Sequence, residues 1–307
     1  MLIFVLRRLW STLTVVLGVA AVIFVLLHLS GDPAALLVPA DAPPEVMQDT
    51  RHALGLDRPL PQQFVIYLSH AAAGDLGTSL RHNRPVIQLI RERLPRTMLL
   101  TAAALALAVL IAIPTGIVSA LWRGTLVDRT AMVLSVAGQA VPIFWLALML
   151  IWIFAVRLEW LPVFGSGTPW HLVLPAVSLS TIVLGRLARL VRSSMLEVLE
   201  QDYVRTARAK GLGETPVVWR HALKNAAIPI VTVVGLQLAQ LLGGAVVTET
   251  IFAWPGVGVL AAEAVFNRDF PVVQGVTLVV SLIFVVVNLL VDVAYVVIDP
   301  RIRVTGS

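Results

Sequence analysis

The sequence contains no cysteine, so neither a disulfide framework nor a thiolate metal site can be drawn on it. That absence leaves the compartment open. Charge is scarce as well: 13% of residues are Asp, Glu, Lys or Arg, where a soluble domain carries about a quarter. Motifs for chemistry are missing. There is no Gly-x-Ser-x-Gly, no His-Glu-x-x-His and no Gly-x-x-x-x-Gly-Lys-Ser/Thr, hence no nucleophile elbow, zinc helix or phosphate loop. The six histidines are scattered without ligand spacing, and Gly165-Ser166-Gly167 reads as a turn in an external connector. These absences argue against an intramembrane enzyme. Without a phosphate loop, any ATP hydrolysis must belong to another chain.

What is present is apolar. With 58% hydrophobic residues and a mean hydropathy of +0.89, water cannot be the main solvent. A bilayer core about 30 Å thick needs about 20 apolar residues at about 1.5 Å each. Five runs meet this: Leu9 to Leu27, Met98 to Trp122, Thr130 to Val156, Ala226 to Thr248 and Pro271 to Val291. A sixth, Leu172 to Leu184, is short, but Arg186, Arg189 and Arg192 follow at three-residue spacing and can snorkel to headgroups from one helical face. The first run follows Arg7 and Arg8 as a signal peptide would. It is longer than an h-region, however, and no small-x-small cleavage site precedes Gly31-Asp32-Pro33, so a retained helix is expected.

The formal charge of +5 does not form one nucleic-acid patch. Basic residues sort by loop instead. Six spans put both termini on one side, together with Arg7, Arg8, Arg123, Arg129, the cluster from Arg186 to Lys224, Arg301 and Arg303. The short opposite loops hold Arg157 and Arg268, which places the termini in the cytoplasm. Arg91, Arg93 and Arg96 oppose this, but they belong to a long loop whose charges count weakly and are balanced by acids. The chain divides into residues 1–29 (N-terminus and first span), 30–96 (external cap), 97–299 (remaining spans, with a cytoplasmic loop at 193–225) and 300–307 (tail).

In the external region, Phe64, Val65, Tyr67 and Leu68 suggest an amphipathic helix after Pro59 and Pro61, and Gly74-Asp75-Leu76-Gly77 a turn. Leu121 to Arg129 merely joins two spans. Arg192 to Asn225 is a module. Val198, Leu199, Tyr203 and Ala207 can form an apolar stripe, with Arg205, Arg208 and Lys210 on other faces and Gly211 as a stop. A second short helix should start with Thr215 as N-cap and Pro216 at its first position, and Pro229 should disturb the helix near the membrane boundary. Periodicity allows two readings equally: an interfacial segment on anionic lipid, or a protein-docking helix–turn–helix.

At this loop the sequence resembles the inner-membrane permeases of binding-protein-dependent ABC importers, in the dipeptide, oligopeptide and nickel branch. Asp202-Tyr-Val-Arg-Thr-Ala-Arg-Ala-Lys-Gly-Leu212, then Arg220-His-Ala-Leu-Lys-Asn225 and Ile228-Pro229, is similar to that branch's form of the EAA loop. The Glu-Ala-Ala of the general pattern falls on Arg205, Thr206 and Ala207, so one Ala is kept, as in the peptide branch. Similar strings recur at Leu54–Leu60, Gly74–Ser79, Ile251–Gly258, Asn267–Gly275 and Asp299–Arg303, nearly end to end.

This resemblance implies an all-α polytopic membrane protein with six transmembrane helices of the ABC type I importer permease fold and a small external region after the first. It implies a non-catalytic subunit in a bacterial inner membrane, supplying half a pore. Its partners would be a second homologous permease, two cytoplasmic ATPases that hold ATP and Mg, and a solute-binding protein; this chain itself would carry no cofactor. The loop would be the coupling helix, with Tyr203, Ala207, Gly211 and Leu212 packing on an ATPase and Arg205, Arg208 and Lys210 forming salt bridges. Large side chains at Ala207 or Gly211 should block close approach.

Gln139, Gln237 and Gln240 lie inside spans where lipid would not tolerate them, and either make interhelical hydrogen bonds or line the path. Gly235, Ala239 and Gly243 give a small-residue face for helix contact. Asn288 and Asp292, one turn apart, read as a structural pair. Selectivity would rest chiefly on the binding protein, and the Ala253-containing string leans toward nickel-type relatives. An ion-coupled secondary transporter is the alternative, but neither midplane ionisable groups nor repeated broken helices are evident.

Overall fold

The computed structural model describes residues 2–30, 34, 38, 43–53 and 55–298. Gly31–Pro33, Leu54, Asp299–Arg303 and the tail at 300–307 lie outside the described residues, as do the side chains of Arg7, Arg8, Ile228 and Asp292. The described residues are almost wholly helical and include no strand beyond one isolated bridge, Thr78 to Pro85.

The chain forms two compact units. One comprises Met1–Arg96 with Pro255–Val285, the other Thr97–Trp254 with Val286–Ser307. In the first, α1 (Leu2–Ser30) carries the apolar stretch Thr12–Leu29, long enough to cross a membrane. Two shorter helices follow, α2 (Pro44–Ala53) and α3 (Leu60–Ala72). Pro59 occupies the N-cap of α3, where its missing N–H costs nothing. Phe64 and Tyr67 of α3 meet Phe24 of α1, with ring centroids 5.3 and 6.2 Å apart. Burial pushes the Tyr67 phenol up to about 12. Val65, read on the same stripe, is 64% exposed.

The start of α4 (Val86–Leu121), α11 (Val257–Phe266) and the start of α12 (Phe270–Ile298) enclose a core of Val86, Ile90, Leu260, Val272 and Val276. Gly74 and Gly77 both take positive φ in the expected turn, where the Asp75 carboxylate accepts the Gly77 N–H at 2.9 Å. That bond, with His70 beside it, holds the Asp75 carboxyl below the usual carboxylate range. Just beyond, the buried Asp269 carboxylate accepts from Ser79 Oγ at 2.5 Å, Leu80 N at 3.2 Å and Arg81 N at 3.3 Å. Two strings far apart in sequence are thereby tied into one knot.

In the second unit, α7 (Val173–Leu199) is the central helix, its buried Leu187, Ala188, Val191 and Met195 packed with Ala112 and Ile117 of α4 and Ala222 and Ala226 further on. The run Thr130 to Val156 is not one straight span. It is α5 (Leu126–Ala140) and α6 (Ile143–Leu150, extended as π-helix over Ile151–Arg157), bent by 101°. Pro142 is the cause: it has no N–H to continue α5 and forces Val141 into an extended conformation, φ −73° and ψ 128°. Among the described residues, five helices are long and apolar enough to cross a membrane, or six if the bent pair counts as one span.

The stretch Leu172 to Leu184 is the outer part of a longer helix, because nothing in the following residues stops it before Leu199. Pro229 sits inside α10 (Leu223–Ile251) without ending it. Gly235 accepts Val291 so closely that a Cβ there would lie 2.5 Å from Val291 Cγ2. The expected partner position Gly243 faces open space, and Gly244 instead meets Ile182.

Candidate functional site

Two regions of the second unit gather the residues singled out by sequence. The first is an elbow after α7. The expected stripe from Val198 to Ala207 is broken at Glu200–Gln201, and a separate helix α8 (Asp202–Ala209) begins there. Its Val204 and Ala207 pack inward on Val217, against Val198 and Leu199 at the end of α7. Ala207 is 6% exposed, so its small size serves this internal contact.

Gly211 has φ +80° and nothing within 4 Å of an added Cβ. Its requirement is therefore the left-handed backbone that ends α8, where Leu212 N–H returns to Ala207 O at 3.3 Å. Within the chain no close steric contact adds to that requirement. Gly213 caps the next turn, α9 (Glu214–Pro216), in place of Thr215. Rather than a short helix, that turn continues as π-helix over Val217–Ala222 into α10.

The elbow's outer surface is mixed. Tyr203 and Leu212 are 42% and 41% exposed. Arg208 forms a fork with Glu214 across the turn, Nε to Oε1 at 2.8 Å and Nη2 to Oε2 at 3.2 Å, so it stiffens the elbow from within. Arg205 has a loose contact to Asp202 at 3.5 Å. Tyr203 Oη accepts from Asn225 Nδ2 at 2.9 Å, tying α8 to the start of α10. Lys210 is exposed at the tip.

The second region is the break between α5 and α6. A cavity of about 340 Å³ is lined there by Gln139, Ala140, Pro142, Thr181, Ile182 and Gln240. Gln240 Oε1 accepts from Arg186 and Gln139 Oε1 from Arg189, each at 3.1 Å. Gln237 is 5% exposed, and its Oε1 has no hydrogen-bond partner among the described residues. Of the three glutamines, two thus share one cavity and the third packs apart.

Arg186, Arg189 and Arg192 do not act alike as a snorkelling row. Arg192 binds Asp128 with two hydrogen bonds of 2.7 and 2.8 Å, and Asp128 also takes Ser119 Oγ and Gly124 N–H. The short connector at Leu121 to Arg129 is therefore an anchor point for α7. Sequence reasoning missed this acid, although a lone Asp opening an apolar run was a visible signal. Glu249, which the sequence places near the end of a span, is fully buried in α10 and accepts from Thr97 Oγ1 at 2.5 Å. Asn288 is partly buried on α12, and its proposed mate falls outside the described residues.

Apolar spans around a broken helix, with an amphipathic elbow at one end, are the architecture of a helical membrane protein. In fold the chain is similar to one in the structure "Inward facing conformations of the MetNI methionine ABC transporter", with a TM-score of 0.58 at 18% identity, covering 69% of this chain and 97% of that one. The family described as "Binding-protein-dependent transport system inner membrane component" matches residues 112–304, and its N-terminal companion matches 1–101. The chain belongs to this family.

It is 44% identical to the "Dipeptide transport system permease protein DppB" of Alkalihalophilus pseudofirmus, over 99% of this chain and all of that one (100%). It is 45% identical to the "Glutathione transport system permease protein GsiC" of Pectobacterium atrosepticum, over 99% of each. The protein is thus a non-catalytic permease subunit of an ABC importer, and ATP hydrolysis and solute capture belong to partner proteins.

Proposed function

We propose that this chain forms half of a pore that imports small peptides, of the dipeptide or glutathione class, across a bacterial inner membrane. The relatives named above support that class; the nickel reading rests on the Ala253 string alone. A second homologous permease would supply the other half, two ATPases would bind ATP and Mg on the cytoplasmic side, and an external binding protein would deliver the peptide.

One observation carries the mechanism: α8 is small, joined by the Arg208–Glu214 fork to the turn that opens the π-helix, and hydrogen-bonded through Tyr203 to Asn225 at the start of α10. A force applied to the exposed Tyr203, Arg205, Lys210 and Leu212 is therefore passed to α10, and through the buried Val204–Val217 contact to α7. Both helices line the cavity at Gln240 and Thr181. Closure of the ATPases would tilt them and alternate access to the path. Gly211 belongs to the hinge, and Ala207 acts by internal packing.

Purified alone, the chain should hydrolyse no ATP; addition of its second permease and cognate ATPases should create activity that the peptide-loaded binding protein stimulates. Hydrolysis by the lone chain, or import that needs an ion gradient and no ATPase, would refute this.

A further inference from the structure

Arg186 and Arg189 stand three residues apart on one face of α7, and both are exposed in the chain. A helical side chain leans toward the N-terminus of its helix, so both guanidinium groups reach back toward the external end. Their partners fix the depth. Gln240, which accepts from Arg186, is the central residue of the 23-residue span Pro229–Ile251, roughly 17 Å along the helix from either end. Gln139, which accepts from Arg189, adjoins the break that ends α5.

An amide oxygen satisfies one N–H of a guanidinium and leaves its charge and its other donors in place. Among the described residues no carboxylate pairs with either arginine, whereas Arg192 on the same helix is closed by Asp128. Two cations at this depth are tolerated only where they face protein or water. Irregular backbone at membrane depth carries the same requirement, and Ala140–Pro142 meets it beside the same cavity. The glutamine partners of both charges and the broken backbone line one cavity.

We propose that Arg186 and Arg189 form a carboxylate-receiving site in the translocation path. This rests on the peptide-import reading and adds to it the chemistry the path selects: anionic side chains of the passing peptide. Gln139 and Gln240 hold the guanidinium groups in place when the site is empty. An arriving carboxylate displaces their amide oxygens, forming charge-assisted bonds. The glutamines then compete for the arginines as the peptide moves on, which keeps the site from becoming a trap.

The test uses the full complex with its binding protein in proteoliposomes, with Ala-Asp and Ala-Lys as probes, each saturating the binding protein. Arg186→Gln with Arg189→Gln should shift the uptake ratio toward Ala-Lys by at least about tenfold, the worth of one charge-assisted hydrogen bond. Peptide-stimulated ATP hydrolysis should persist. If that variant fails to assemble, Gln139→Glu and Gln240→Glu keep the arginines but occupy them with a built-in carboxylate, and the same shift is expected.

An unchanged ratio in the assembled variants overturns the site. So does an equal loss of both peptides with ATP hydrolysis uncoupled, which would instead assign the arginines to an acid on the second permease. Failure of the wild-type complex to import either peptide would overturn the peptide reading itself, and this site with it.

Discussion

A carboxylate removed from water is stable only when hydrogen-bond donors replace its hydration, and Asp269 meets that condition with one hydroxyl and two backbone N–H groups. Asp269→Ala should leave those donors unpaired and destabilise the loop at Ser79–Arg81 by about 3 kcal/mol, read as faster proteolysis between Arg81 and Arg84. Ser79→Ala, which removes one donor, should cost less. Asp75 carries a pH term of defined sign. Its folded pKa is lowered, so its contribution is full above the ordinary aspartate value and is lost as pH falls through the lowered one; Asp75→Asn should flatten acid-induced cleavage of the same loop. At Gly211 the chain itself constrains only the backbone. Gly211→Ala should cost about 1 kcal/mol, and Gly211→Asn less because Asn tolerates positive φ, with uptake per ATP hydrolysed as the readout. Gly211→Glu adds charge to the same strain and should abolish assembly while leaving membrane insertion intact.

Helices were legible wherever apolar length or punctuation decided them. Pro59 and Gly74 bounded α3, Gly211 ended α8, and the long apolar runs gave α1, α4, α10 and α12. Breaks inside an apolar run were not legible, because hydropathy is blind to direction: Thr130 to Val156 has the composition of a straight span, and Pro142 turns it. Prolines at Pro229 and Pro142 look alike in sequence, yet only the second ends a helix, since the outcome depends on what packs around each. The knot of Ser79 with Asp269 and the pairing of Arg189 with Gln139 were hidden for a different reason: both depend on tertiary placement that one sequence does not report. The bend is directly measurable. Cysteines at Thr130 and Leu150 in this cysteine-free chain, carrying spin labels, should give a backbone separation of about 20 Å for arms meeting at the observed angle, whereas an unbroken helix would give about 30 Å. The longer distance would remove the cavity between α5 and α6.

At the scale of the molecule, the transport reading requires the elbow to face the compartment that holds the ATPases. Sequence supports this through the distribution of basic residues, which retains positive charge on the side of Arg123, Arg205 and Lys210. The structure adds apolar surface at Tyr203 and Leu212, 42% and 41% exposed, beside the exposed Lys210. A lipid-resting segment would present its apolar residues along one face toward the bilayer, but here the inward face of α8 is already filled by Val204 and Ala207 against Val217. What remains outside is a compact patch of the kind a protein groove takes. The absence of native cysteine makes the test clean. Lys210→Cys should react with a membrane-impermeant maleimide only after the cells are permeabilised, and Val65→Cys on α3 should react from outside without that treatment. Addition of the ATPases should then protect Lys210→Cys by at least about tenfold, as burial in a specific interface does, and leave Val65→Cys unchanged. Reaction of Lys210→Cys from outside would invert the topology, and reaction without protection would return the elbow to the lipid surface.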